Sequence, residues 1–197
     1  MNKEEINKLS GGNLAGGNPS RGRVENDYYA TNPESTKALL RVEDIIYPAL
    51  EPACGEGHIA KLLDGEVIVS DLIDRGFGQS SIDFLTYDFN IFGEINTIIT
   101  NPPFSLFTEF VEKALRVANK KVIMFGKLVA LEGQKRATFL ETTPLKYVYV
   151  FKKRQQPFRN GSEIDPKTGK KWASNTMAFA WFVWEKEYVG NPIIKWL

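Results

Sequence analysis

Apolar positions along the chain switch between two spacings, and the switches mark out its elements. Compact β-branched and aromatic runs at 66–71 (EVIVSD), 95–100 (INTIIT), 121–127 (KVIMFGK) and 145–151 (LKYVYVF) predict strands. A longer run at about 176–185 (TMAFAWFVWE) is apolar at nearly every position, as in a strand covered on both faces. Elsewhere the spacing shifts to three and four. Residues 33–45 predict a helix with Ser or Thr near its start and Leu39, Leu40 and Ile45 as apolar positions. Residues 105–118 predict a strongly amphipathic helix, with Ser105 as N-cap and Phe107, Phe110, Val111, Ala114 and Leu115 on one face. Residues 131–141 predict another helix, and 47–65 (YPALEPACGEGHIAKLLDG) reads as strand, Gly-rich turn and short helix.

Strands that alternate with helices predict an α/β domain with a mostly parallel sheet and helices on both faces. The last two strands have only a polar segment between them, which predicts an antiparallel pair at the end of the sheet. Residues 1–26, rich in Gly, Asn and Ser, lack periodicity and read as a flexible tail. The domain then runs from 27 to 197.

Composition narrows the classes. With 197 residues, 43% hydrophobic and 25% charged, the chain is expected to form one globular domain. No apolar run approaches the roughly 18 residues of a membrane span, and the first residues lack a secretory h-region. One cysteine, Cys54, and one histidine, His58, exclude an internal disulfide, a cysteine cluster and a multi-histidine metal site. A cytoplasmic, reducing setting and no metal are expected. The net charge is +1, but residues 152–171 hold seven Lys or Arg against Glu163 and Asp165. That basic segment on a mildly acidic body is a candidate polyanion contact.

The candidate chemistry begins at Glu51-Pro52-Ala53-Cys54-Gly55-Glu56-Gly57, which follows a predicted strand and opens a helix. The Gly-Lys-Ser/Thr ending of a phosphate loop is missing, while Gly55, Gly57 and Ala60 meet the weaker dinucleotide spacing. Glu51 at the strand end would repel a pyrophosphate and suits a cation. Asp71, closing the next strand, suits ribose hydroxyls.

Here the chain resembles the class I S-adenosylmethionine-dependent methyltransferases, and within them the small N6-adenine DNA methyltransferases of phages and prophages. Residues 51–57 resemble their motif I, and Asp71-Leu72 the acidic loop after their second strand. Asp83-Phe84 resembles the motif whose acid takes the adenine amino group and whose apolar residue packs on the ring. Residues 27–33, with Tyr28, Tyr29 and Thr31, are similar to their N-terminal cofactor motif. Asn101-Pro102-Pro103-Phe104 resembles their catalytic motif IV. The resemblance implies a Rossmann-like fold with a seven-stranded sheet and one antiparallel C-terminal strand. It implies S-adenosylmethionine as cofactor, held by Tyr28, Tyr29, Thr31, Glu51, Ala53, Cys54, Gly55, Gly57, Asp71, Leu72, Asp83 and Phe84.

The chemistry of that motif follows from its residue types. The adenine amine is a poor nucleophile, because its lone pair is delocalised into the ring. The Asn101 side-chain oxygen and the Pro102 carbonyl can accept its two N–H groups. Consecutive prolines stiffen the platform that aims them. Pre-set acceptors stabilise the transition state with little reorganisation, and Phe104 offers a stacking face. The expected partner is DNA with a flipped adenine, gripped by Lys152, Lys153, Arg154, Arg159, Lys170 and Lys171. The chain leaves little room for a target-recognition domain, so site choice is expected to be low or to need a homodimer or a specificity partner. RNA adenine or a protein glutamine amide poses the same problem of a delocalised nitrogen. A nucleic-acid-binding module without catalysis is the reading outside the enzyme class.

Overall fold

The structure is a computed structural model that describes residues 28–155, 158–159, 161–164, 168–170 and 177–197. Asp27, Lys171 and the predicted tail at 1–26 lie outside the described residues, as does the Arg159 side chain. Strand β1 (Tyr29–Ala30) leads into helix α1 (Pro33–Leu40). Asn32 caps that helix by accepting the Glu34 N–H at 3.0 Å, and Pro33 pre-sets φ in its first turn. Then come β2 (Ala49–Glu51), β3 (Val67–Val69), β4 (Thr97–Thr100), α2 (Phe107–Val117), β5 (Lys121–Lys127), α3 (Gln134–Glu141) and β6 (Leu145–Val150). Strands β7 (Phe158–Arg159), β8 (Phe179–Glu185) and β9 (Ile193–Trp196) follow.

Seven strands form one sheet in the order β3-β2-β4-β5-β8-β6-β9, in which β8 alone runs antiparallel to its neighbours. This is the expected mostly parallel sheet. Period two sorts the core into two layers. Ile98, Val122, Met124, Phe182 and Trp184 pack on one face of the sheet. Ile99, Ile123, Phe125, Trp181 and Val183 pack on the other. The apolar face of α2 (Phe107, Phe110, Val111, Ala114) covers the first layer. Helix α1 covers part of the second: Leu39 is fully buried, and Trp181 donates its indole N–H to the Ser35 carbonyl at 2.9 Å.

Several elements differ from expectation. Helix α1 stops at Leu40, because Glu43 turns inward to a buried lysine, Lys121. The strand expected at 66–71 is Val67–Val69, after which Ser70 forms a lone bridge to Gln79. The short helix after the glycine turn is a 3-10 turn, Ala60–Leu62. Ser105 is not the N-cap of α2. Residues Phe104–Leu106 form a 3-10 turn, and Leu106 stands at the cap position without a side-chain bond. The antiparallel pair does not end the sheet. Strand β9, absent from the expected elements, pairs parallel to β6 along the edge. Finally, part of the basic segment is structured: β7 pairs antiparallel with β1, Phe158 opposite Ala30 and Arg159 opposite Tyr29.

Candidate active site

The chain steps from β2 outward to β3 and then back across β2 to β4. That reversal opens a crevice beyond the carboxyl ends of β2 and β4, where open α/β sheets hold ligands. An open cleft of about 860 Å3, mouth included, lies there. It is lined by Tyr28, Tyr29, Thr31, Glu51, Ala53, Cys54, Asp71, Leu72, Asp83, Phe84, Asn101, Pro102 and Pro103. Five separated stretches of sequence therefore meet in one place. Gly55, Gly57 and Phe104 are not among the lining residues.

Gly55 turns the loop after β2 at φ +54°. A Cβ there would meet the Tyr28 ring at 2.7 Å, so only glycine lets the aromatic lie on the loop. Glu51, at the end of β2, is 1% exposed and accepts the Ala60 N–H at 2.8 Å. Burial pushes its carboxyl well above the usual range, with the nearby Asp71 carboxylate adding to the rise. The Cys54 thiol is buried and is pushed up to about 12, first by burial and then by the Glu51 and Asp71 carboxylates. It packs as a small residue in the wall of the cleft.

Asp71 ties this loop to the next one. Its carboxylate accepts the Gly55 N–H at 2.7 Å on one oxygen and the Ile73 N–H at 2.9 Å on the other. Each oxygen retains a lone pair for a further donor. Leu72 is 58% exposed in the cleft, an apolar surface open to a planar ring. Asp83 uses one oxygen to accept the Leu85 N–H at 2.9 Å. Phe84 touches the cleft but is 2% exposed, with its ring among Phe89 and Phe110 at 5.5 and 5.0 Å. Its main role here is core packing.

Asn101 follows β4 directly. Its side-chain amide donates to the Tyr29 carbonyl at 2.6 Å, which fixes which end of the carboxamide is oxygen. That oxygen, Oδ1, is buried with no hydrogen-bond partner among the described residues. Asn101 lines the cleft, and a buried acceptor left without a partner calls for an explanation such as a ligand donor. Thr31 is also in the lining, and its Oγ1 is a second buried atom without a partner among the described residues. Phe104 lies behind the prolines. Its ring stacks on Tyr29 at 5.7 Å and tilts against Phe179 at 5.6 Å, and the Lys127 ammonium lies 4.8 Å over it.

The basic segment reaches this region through β7. Phe158 meets His58 edge-on at 6.3 Å, and Ser35 donates to Gln155 at 3.3 Å. Lys152, Lys153, Arg154 and Lys170 are exposed. Sequence reading missed Arg75, which lines the cleft with its guanidinium 3.9 Å over the Tyr28 ring. Nothing in the polar stretch around it signals that contact.

No protein-family model and no curated protein matches the chain. Solved structures do match. A Listeria monocytogenes protein assigned as a class I S-adenosylmethionine-dependent methyltransferase aligns over 98% of this chain and 73% of its own, at TM-score 0.57 and 15% identity. DrdV, solved as a complex with DNA, aligns over 100% of this chain and 30% of its own, at TM-score 0.58 and 11% identity. A dimethyladenosine transferase from Plasmodium falciparum aligns over 81% of this chain and 64% of its own, at TM-score 0.52 and 14% identity. The chain has the Rossmann-like fold of the class I methyltransferases, and it spans under a third of DrdV.

Proposed function

We propose that this chain transfers a methyl group from S-adenosylmethionine to the N6 amine of adenine in DNA. The observation that carries the reading is Asn101: an amide oriented by the Tyr29 carbonyl, with its oxygen buried and unpartnered in a cleft of the methyltransferase fold.

The residues present fit the cofactor. Glu51 offers a buried carboxyl to an ammonium group, Asp71 retains lone pairs for ribose hydroxyls, and Leu72 and Asp83 suit an adenine face and its amine. S-adenosylmethionine supplies the electrophilic methyl group. Asn101 Oδ1 and the Pro102 carbonyl accept the two N–H groups of the target nitrogen and favour a pyramidal geometry. Pro103, at φ −52° and ψ 124°, keeps the backbone extended as it leaves the platform. Both acceptors are set before the substrate arrives, so they act with little reorganisation. A base in a duplex must leave the stack to reach them. The Phe104 ring, now packed between Tyr29 and Phe179, lies next to the platform for a stacking role. The basic residues Lys152, Lys153 and Arg154 favour a polyanionic substrate.

DNA and RNA adenine differ in nothing that the platform itself would touch, so the polymer is decided by assay. Incubation with tritiated S-adenosylmethionine and DNA, RNA or protein extract, followed by nucleoside digestion, tests the reading. Labelled N6-methyldeoxyadenosine is the expected product. Asn101→Ala should lower its rate by roughly 10²–10³-fold while cofactor affinity holds within about threefold. Label found only in RNA or protein would overturn the DNA assignment. Undiminished transfer by Asn101→Ala would overturn the role of the platform.

A further inference from the structure

Beyond the residues that the sequence motifs single out, we infer that Arg75 binds the carboxylate of the cofactor's amino-acid end, an assignment that rests on the S-adenosylmethionine reading above. That cofactor carries two cationic groups, an ammonium and a sulfonium, and one anionic group, a carboxylate. The cleft lining holds three acids, Glu51, Asp71 and Asp83, together with His58 and Arg75. Burial holds His58 below its usual pKa, which favours its neutral form. Among the described lining residues, Arg75 is therefore the one permanent cation. The acids can answer the ammonium, the ribose and the adenine amine. They would repel the carboxylate, which leaves Arg75 to receive it.

Geometry places the guanidinium for that task. It stacks 3.9 Å from the centre of the Tyr28 ring, and that ring lies on Gly55 in the loop that follows Glu51. The Tyr28 hydroxyl accepts the Glu56 N–H at 3.3 Å, which anchors the stack to the same loop. Cation and loop are thus joined through Tyr28, and Arg75, Tyr28 and Glu51 all line the cleft. Arg75 forms no ion pair with a carboxylate of the described residues. Its Nε is buried without a partner among the described residues. An unpaired buried guanidinium nitrogen is costly, and its planar fork matches a carboxylate on two bonds.

The test compares ligands that differ in the carboxylate alone. Isothermal titration measures S-adenosylmethionine and its decarboxylated analogue against wild type, Arg75→Gln and Arg75→Lys, with thermal melting as the folding control. Arg75→Gln is expected to lose about 10- to 100-fold in affinity for S-adenosylmethionine and less than about threefold for the analogue. Arg75→Lys, which keeps the charge and loses the fork, should fall between. Equal losses for both ligands, or no loss for either, would overturn the assignment while leaving the methyltransferase reading intact. A folded wild type that binds neither ligand would overturn both.

Discussion

At the end of β2 the Glu51 carboxyl is buried, and burial raises its pKa well above the usual value of 4.5. The folded chain therefore holds that proton to higher pH than the unfolded chain does. The stability this contributes is complete below about pH 4.5 and is lost as pH rises through the folded pKa. Glu51→Gln keeps an acceptor for the Ala60 N–H and cannot ionise. It is expected to leave the ligand-free melting temperature at pH 7 equal or higher, and to weaken S-adenosylmethionine binding at least about tenfold. A lower melting temperature with unchanged affinity would contradict this account of Glu51. Three residues on, the Cys54 thiol is held near 12 and is 4% exposed. Its thiolate fraction at pH 8 is on the order of 10⁻⁴. A disulfide reagent such as dithionitrobenzoate should label it only after unfolding; labelling of the folded protein at the rate of free cysteine would refute the environment described. Both residues stood out in the sequence as polar members of a glycine-rich turn, but their surroundings come from other stretches: the Cys54 thiol meets the Phe77 carbonyl at 3.4 Å, and Glu51 accepts the Ala60 N–H.

Among the elements, α1 shows local pattern losing to a distant partner. Its spacing continues past Leu40, yet Glu43 leaves the helix and accepts from Lys121 Nζ at 2.5 Å and from the Tyr149 hydroxyl at 2.7 Å. The Lys121 and Glu43 side chains are only 7% and 5% exposed. Removing one member of a buried pair strands the other charge, which costs about 3–5 kcal/mol. Lys121→Met is expected to destabilise by that amount in urea unfolding, and a loss under about 1 kcal/mol would mean that the pair does not anchor the end of α1. Strand β9 shows the opposite case. Its Ile193, Ile194 and Trp196 are 44, 52 and 62% exposed, so it is an edge strand held by backbone pairing with β6. Four residues without a buried face give little periodic signal.

On the scale of the whole molecule, the order of strands makes the site. The reversal at β2 brings residues 28–31, 51–54, 71–75, 82–85 and 101–103 to one cleft. The pairing of β7 with β1 then brings part of the basic segment beside the strand whose Tyr29 carbonyl orients Asn101. Exposed cations there should act on a nucleic acid through its phosphates. Replacing Lys152, Lys153 and Arg154 with alanine is expected to weaken DNA binding across all sequences. The slope of log affinity against log salt should flatten by roughly one for each phosphate that the protein no longer neutralises. A triple variant with an unchanged slope would remove this surface from the interface.

The sequence by itself determined the alternation of strand and helix, the two-faced burial of β4, β5 and β8, and the residue types of the cleft. Each of these follows from short-range periodicity or from a motif whose members are neighbours in the chain. It did not determine where α1 ends, that β9 exists, that Phe104 packs behind its prolines, or that Arg75 stacks on Tyr28. Those depend on residues far apart in the chain meeting through the sheet. Asn101 illustrates the division. Its place after a strand and before two prolines marks it as a candidate acceptor, but only the Tyr29 carbonyl, 72 residues away, decides which end of its amide is left without a partner among the described residues.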